Sequence, residues 1–154
     1  MTGKRTIVAL LGAVALMPVH GCLSNHTEQM SEVDPRGWDR DTPVWIQYQN
    51  EDTVSQRDIS ILLRYNDLFT AGRLPLQISV LTPDNLRWEE LFTLYLDPNA
   101  KEHIFHYEGR FPYRHDVRLA QPGKYIFRIA PTVDGIVGTE AIGLDIRRPE
   151  RTQP

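Results

Sequence analysis

From Thr42 to Arg148 the apolar residues recur at every second position, a spacing that belongs to strands and excludes amphipathic helices. In "PVWIQYQN", Val44, Ile46 and Tyr48 share one face while Trp45, Gln47 and Gln49 take the other. In "RDISILLRYN", Ile59, Ile61, Leu63 and Tyr65 alternate with Asp58, Ser60, Leu62 and Arg64. "LPLQISVLTP" continues with Leu76, Ile78 and Val80, and "WEELFTLYL" groups Phe92, Leu94 and Leu96. "HIFHYE" is a shorter run. "GKYIFRIAP" aligns Tyr125, Phe127 and Ile129 against Arg128, and "AIGLDIRR" aligns Ile142, Leu144 and Ile146 against Asp145 and Arg147.

Turn chemistry separates these runs. Thr82-Pro83-Asp84-Asn85 and Asp97-Pro98-Asn99-Ala100 put proline where a type I turn fixes φ. Gln121-Pro122-Gly123-Lys124 suits a type II turn, because Gly123 accepts positive φ, and Asp134-Gly135 parts the last two strands. About seven strands, each burying one face, predict an all-β fold: an antiparallel β-sandwich over residues 42–148, with a small barrel as the alternative.

The N-terminus has a different character. Lys4 and Arg5 precede an uncharged stretch, "TIVALLGAVALM", followed by Pro18, Val19, His20, Gly21 and the chain's one cysteine, Cys22. A basic start, a short apolar run and a small residue at a cut site describe a secretory signal, and the run is too short to suggest a transmembrane helix. Gly21 before Cys22, with Val19 three residues before that cysteine, fits a bacterial lipobox; His20 departs from its usual small or apolar residue. In that chemistry the Cys22 sulfur receives a diacylglycerol and the chain is cut after Gly21. The predicted organisation is therefore a signal over 1–21, a lipidated tether over 22–41 with Trp38 as the first docking residue, the sandwich, and a tail over 149–154.

Cleavage removes Lys4 and Arg5, leaving 15 of the 17 basic residues against 20 acidic ones, so the formal charge moves from −3 to −5. That balance argues against a nucleic-acid partner. With Cys22 acylated, no thiol remains for a disulfide, a zinc site or a redox pair. His103 and His106 are three residues apart, so on a strand they point to opposite faces and do not converge on a metal. There is no G-x-S-x-G elbow. Glu89 and Glu90 are adjacent and diverge, which leaves a distant pair such as Glu90 and Asp116 as the only glycosidase-like reading. The glycines of "GIVGTEAIG" precede a strand, which does not support a phosphate-cradling loop. No cofactor and no catalytic set is predicted.

Two features suit binding. Trp45, with Tyr107 before and Tyr113 within the stretch "EGRFPYRHD", which reads as a loop, could stack on sugars or anchor a protein. The other reading has Trp45 covered by the tether through Trp38. Arg110, Arg114 and Arg118 gather near the same loop, where they meet either anionic lipid, a partner's carboxylates or solvent.

"QPGKYIFRIAPTVDGIVGTEAIGLDIRR", Gln121 to Arg148, resembles the end of the GldH-type gliding-motility lipoproteins: a glycine, an aromatic strand, a short turn, then a strand like "GTEAIGLDI". The tryptophan-containing strand "PVWIQYQNED" ahead of "DISILLRYND", with Arg64-Tyr65-Asn66, is similar to that family's middle segment, and the lipobox is shared. Where the family follows that middle strand with an aromatic, Pro-Tyr-like turn, this chain has "LFTAGRLPLQI". The resemblance implies a Gram-negative envelope lipoprotein, outer membrane rather than inner, linked to gliding or its secretion machinery, and carries over no residue beyond Cys22. The combined expectation is a non-enzymatic, membrane-anchored interaction module with envelope protein partners; a glycan-binding surface lipoprotein is the second reading and a hydrolase the third.

Overall fold

The computed structural model describes residues 26–97 and 105–149. Cys22, the signal, His103, the Pro98–Ala100 turn and the last five residues lie outside that range. Among the described residues the regular elements are eight strands: β1 (His26–Glu32), β2 (Val44–Asn50), β3 (Gln56–Asn66), β4 (Arg73–Leu81), β5 (Arg87–Tyr95), β6 (His106–Arg118), β7 (Gly123–Pro131) and β8 (Thr139–Arg147). They form two four-stranded antiparallel sheets, ordered β1-β8-β3-β6 and β2-β7-β4-β5. The predicted sandwich is present.

The alternating sets form its core. Ile46, Ile61, Leu63, Leu76, Ile78, Leu94, Phe127, Ile129, Ile142 and Leu144 are all buried between the sheets, while Trp45, Gln47 and Gln49 are exposed. The turns follow their residues too. The Asn85 amide donates to the Thr82 carbonyl (3.0 Å), and Asn85 then takes φ 62°, so a proline-led turn closes the β4–β5 hairpin through a left-handed residue. Gly123 (φ 120°) occupies the positive-φ position expected of it, and Gly135 (φ 73°) also takes positive φ in the turn between the last two strands.

Three expectations are corrected. The segment assigned to a tether is part of the fold from His26 onward. β1 pairs along its whole length with β8, and Trp38 is only 1% exposed, exchanging backbone hydrogen bonds with Ile136 (2.9 and 3.0 Å). Burying an indole of that size outweighs the entropy of leaving the segment loose. The strand count is accordingly eight, because β1, "HTEQMSE", pairs through its backbone and carries no apolar alternation to announce it. Finally, "EGRFPYRHD" lies within β6, not in a loop. Pro112 is tolerated there because β6 is an edge strand.

β6 also breaks its own period. Ser60 pairs with Pro112 and Ile59 with Arg114, which leaves Tyr113 as an extra residue; a second shift follows before Arg57 pairs with Val117. Such bulges re-aim side chains that strict alternation would send to opposite faces.

Candidate binding cleft

The re-aimed side chains define a site. Tyr113 and Arg114, consecutive in the chain, both line a cleft of about 340 Å³ between β6 and the β4–β5 hairpin. Its floor is the flank of the core, with Ile59, Val80 and Phe127, and its rim carries Asp84, Trp88 and Arg118. Trp88 and the neighbouring Leu86 are both exposed. Volume, apolar floor and a few polar groups at the mouth are the usual properties of a ligand pocket.

The electrostatics centre on Glu90. The Tyr113 hydroxyl and the Arg114 guanidinium both donate to Glu90 Oε1. The guanidinium carbon lies 4.6 Å from the Tyr113 ring centre and 5.8 Å from that of Trp88, and Phe92 packs edge-on against Tyr113 at 5.0 Å. Burial, reinforced by the Glu90 carboxylate, pushes the Tyr113 phenol far above its ordinary pKa, so it remains a donor at any physiological pH. Glu90, Tyr113 and Arg114 thus hold each other in place, and the Trp88 face beside them is left open.

Glu90, Tyr113, Arg114 and Arg118 are brought together here; the other residues singled out from the sequence are not. Trp45 is 57% exposed on the outer face of the second sheet, with Arg128 6.0 Å from its ring centre. It is not covered through Trp38, which is in the core. Tyr107 stacks on Tyr65 (5.3 Å) and donates to Asp67 (2.9 Å). Tyr113 is 5% exposed and so offers no stacking platform. Arg110 is engaged by carboxylates of its own chain. It crosses over β3 to the Asp145 carboxylate on β8 and also meets Glu28 at 3.4 Å. His106 contacts Glu140 at 2.8 Å, and the Asp116 amide donates to Asp58 (3.1 Å). Glu90 serves Tyr113 and Arg114.

Sequence reasoning missed Trp88 and Asp145. Trp88 was read only as the start of a strand; its position beside a proline-turn hairpin on an edge strand is the available signal. Asp145, assigned to an outward face, is fully buried beneath Arg110 and Arg147, the latter donating at 2.6 Å. His26, Glu28 and Asp145 present ligand-type atoms within 4.8 Å of one another. The two carboxylates are already balanced by Arg110 and Arg147, so the charge there does not call for a metal.

No protein-family model matches the chain, and no curated protein matches it. Among solved structures it is similar to the X-ray crystal structure of a non-crystalline cellulose specific carbohydrate-binding module, CBM28. The identity is 14% and the TM-score 0.42, over 77% of this chain and 72% of that one. At that identity and score, what the module binds has no bearing on this chain.

Proposed function

We propose that this chain is a lipid-anchored binding module of the bacterial envelope that receives an apolar side chain of a protein partner in the Trp88–Arg114 cleft. The observation that carries this reading is the cleft: an opening onto the core flank, with an exposed tryptophan at its mouth and an arginine held in place by Glu90. Pockets of this kind accept an aromatic or aliphatic anchor, and the guanidinium selects for a neighbouring carboxylate or carbonyl. The lipobox at Cys22 supports membrane attachment, since two or more acyl chains hold a protein there durably. Attachment raises local concentration enough for a weak pocket to be occupied. The resemblance to GldH-type lipoproteins supports an envelope assembly, at the outer membrane, as the setting.

The test is photo-crosslinking in intact cells from a probe replacing Leu86, compared with one replacing Trp45, with the captured protein identified by mass spectrometry. The account expects one discrete adduct from position 86 that disappears when Trp88→Ala is added, and none from position 45. Adducts that ignore Trp88→Ala would contradict it.

Trp45 carries a second reading. An exposed indole beside Arg128, with Gln47 on the same face, is a platform for a sugar ring. The form that needs Trp45, Tyr107 and Tyr113 on one open surface is not met, so a glycan would rest on Trp45 without the two tyrosines. Glycan-array binding lost on Trp45→Ala and kept in Trp88→Ala would favour this reading over the cleft.

A further inference from the structure

The end of the sandwich nearest Cys22 has a shape and charge of its own. β1 starts at His26, which pairs with Arg147; Arg147 pairs in turn with Asp58 on β3, and Gln56 at the start of β3 pairs with Arg118 at the close of β6. These residues therefore share one end of the first sheet. Only Leu23, Ser24 and Asn25 separate Cys22 from His26. Four peptide steps span at most about 14 Å, so a lipid on Cys22 leaves this end no room to stand far from the bilayer.

That end contains a groove of about 440 Å³ lined by Val54, Ser55, Gln56, Arg118, Arg148 and Pro149. Beneath it a single carboxylate, Asp52, receives both Arg148 (2.9 Å) and Arg57 (3.0 Å) on Oδ2. Arg57 is 7% exposed and its Nη1 has no hydrogen-bond partner among the described residues. Arg118 forms no ion pair among them. Two guanidiniums share that carboxylate and Arg118 lines the same groove, which leaves it cationic, and Val54 is exposed at its lip. The far end of the same sheet carries Glu32, Asp67, Glu108 and Glu140 against Arg64, which pairs with Glu108 (2.6 Å), so it is the more acidic end. Glu51, Asp58 and Asp116 sit near the basic end and keep it from being a broad polycationic face. Asp58 faces His115 (3.5 Å) and accepts the Asp116 amide.

We infer that this groove seats the phosphate of an anionic phospholipid headgroup, with Arg118 and Arg148 as the ligating side chains, so that the domain lies with this end on the bilayer and its Trp88 cleft close to the membrane surface. The inference rests on the reading of Cys22 as the anchor for its biological setting, while the groove's own chemistry does not need the anchor. A basic side chain near an anionic surface is worth roughly fivefold in partitioning, so two together favour anionic over neutral vesicles by about 25-fold, and a tether adds to that by local concentration.

The test uses the mature chain from residue 22 with Cys22→Ser, whose described core lies wholly within residues 26–149, mixed with phosphatidylcholine vesicles with or without 30% phosphatidylglycerol. Co-sedimentation should occur with the anionic vesicles and fall on the order of 25-fold in the Arg118→Gln, Arg148→Gln double variant. It should survive millimolar inorganic phosphate; release by phosphate would identify a free-anion site and overturn the headgroup assignment. Equal sedimentation with both vesicle types, or a double variant that binds like the parent, would also overturn it. Palmitate labelling of the unaltered chain reports the anchor separately, so either idea can fail while the other stands.

Discussion

Tyr113 and Arg114 are neighbours in sequence that face the same cleft, and the bulge in β6 is the reason. Replacing Tyr113 with Phe removes the hydroxyl donated to Glu90 and keeps the buried ring, so the expected cost is about 1–2 kcal/mol, read from denaturant midpoints. Trp88→Ala should leave stability within about 1 kcal/mol, because the side chain is exposed, while abolishing capture from the cleft. Asp145 makes the opposite point. Losing both Arg110 and Arg147 to Met would leave its buried carboxylate with only His26 beside it (3.4 Å), and should cost about 3–5 kcal/mol. Period-two reading put Trp45 on the polar face, with its covering by Trp38 left open, and Ile142, Leu144 and Ile146 in the core. It did not reach Tyr113, whose stretch read as a loop because the bulged strand keeps no fixed period. It failed at Asp145 because pointing outward is not the same as being solvated: β8 is an interior strand, and long arginine side chains from both directions roof it.

Among the elements, β1 and the segment after it show most plainly what pattern alone conceals. A polar edge strand is stabilised by backbone pairing, which leaves no mark in side-chain alternation. Gly143 is the residue that permits the pairing to be so close: a Cβ built there would lie 2.2 Å from the Gln29 carbonyl oxygen. Gly143→Ala should therefore strip hydrogen-exchange protection from β1 amides before it affects β7. Trp38→Ala should cost about 3–5 kcal/mol by opening a cavity at the edge of the core. The same segment is tied down by Arg40, which donates to Asp134 in the β7–β8 turn at 2.7–3.2 Å. Its guanidinium holds the Asp134 carboxyl below the usual range, and Ser55, with Val54 and Arg148, does the same for Asp52. A carboxylate whose folded-state pKa is depressed contributes stability that is fully present above the unfolded value, near pH 4, and is lost as pH falls through the folded one. Thermal melts should accordingly change little from pH 7 to pH 5 and drop below pH 4. Asp134→Asn should shrink that drop without altering the neutral-pH plateau's flatness.

For the whole molecule, two four-stranded sheets bury one continuous core, and the lateral opening between β5 and β6 leaves part of its flank accessible. The arrangement of layers was legible because core-facing residues repeat with period two in six of the strands, all but β1 and β6. The cleft was not, since it depends on which edge strands the topology brings opposite each other, a property of sheet order with no local sequence counterpart. Cleft, basic groove and the start of β1 share one end, which would link the proposed binding to the proposed attachment. Attachment is the claim on which that link depends. Metabolic palmitate labelling of cells carrying the chain, with Cys22→Ser beside it, tests this most directly. The account predicts label on the parent protein in the membrane fraction, with the variant unlabelled and its membrane-bound share reduced. A parent protein without label, or a variant labelled and retained to the same degree, would contradict it.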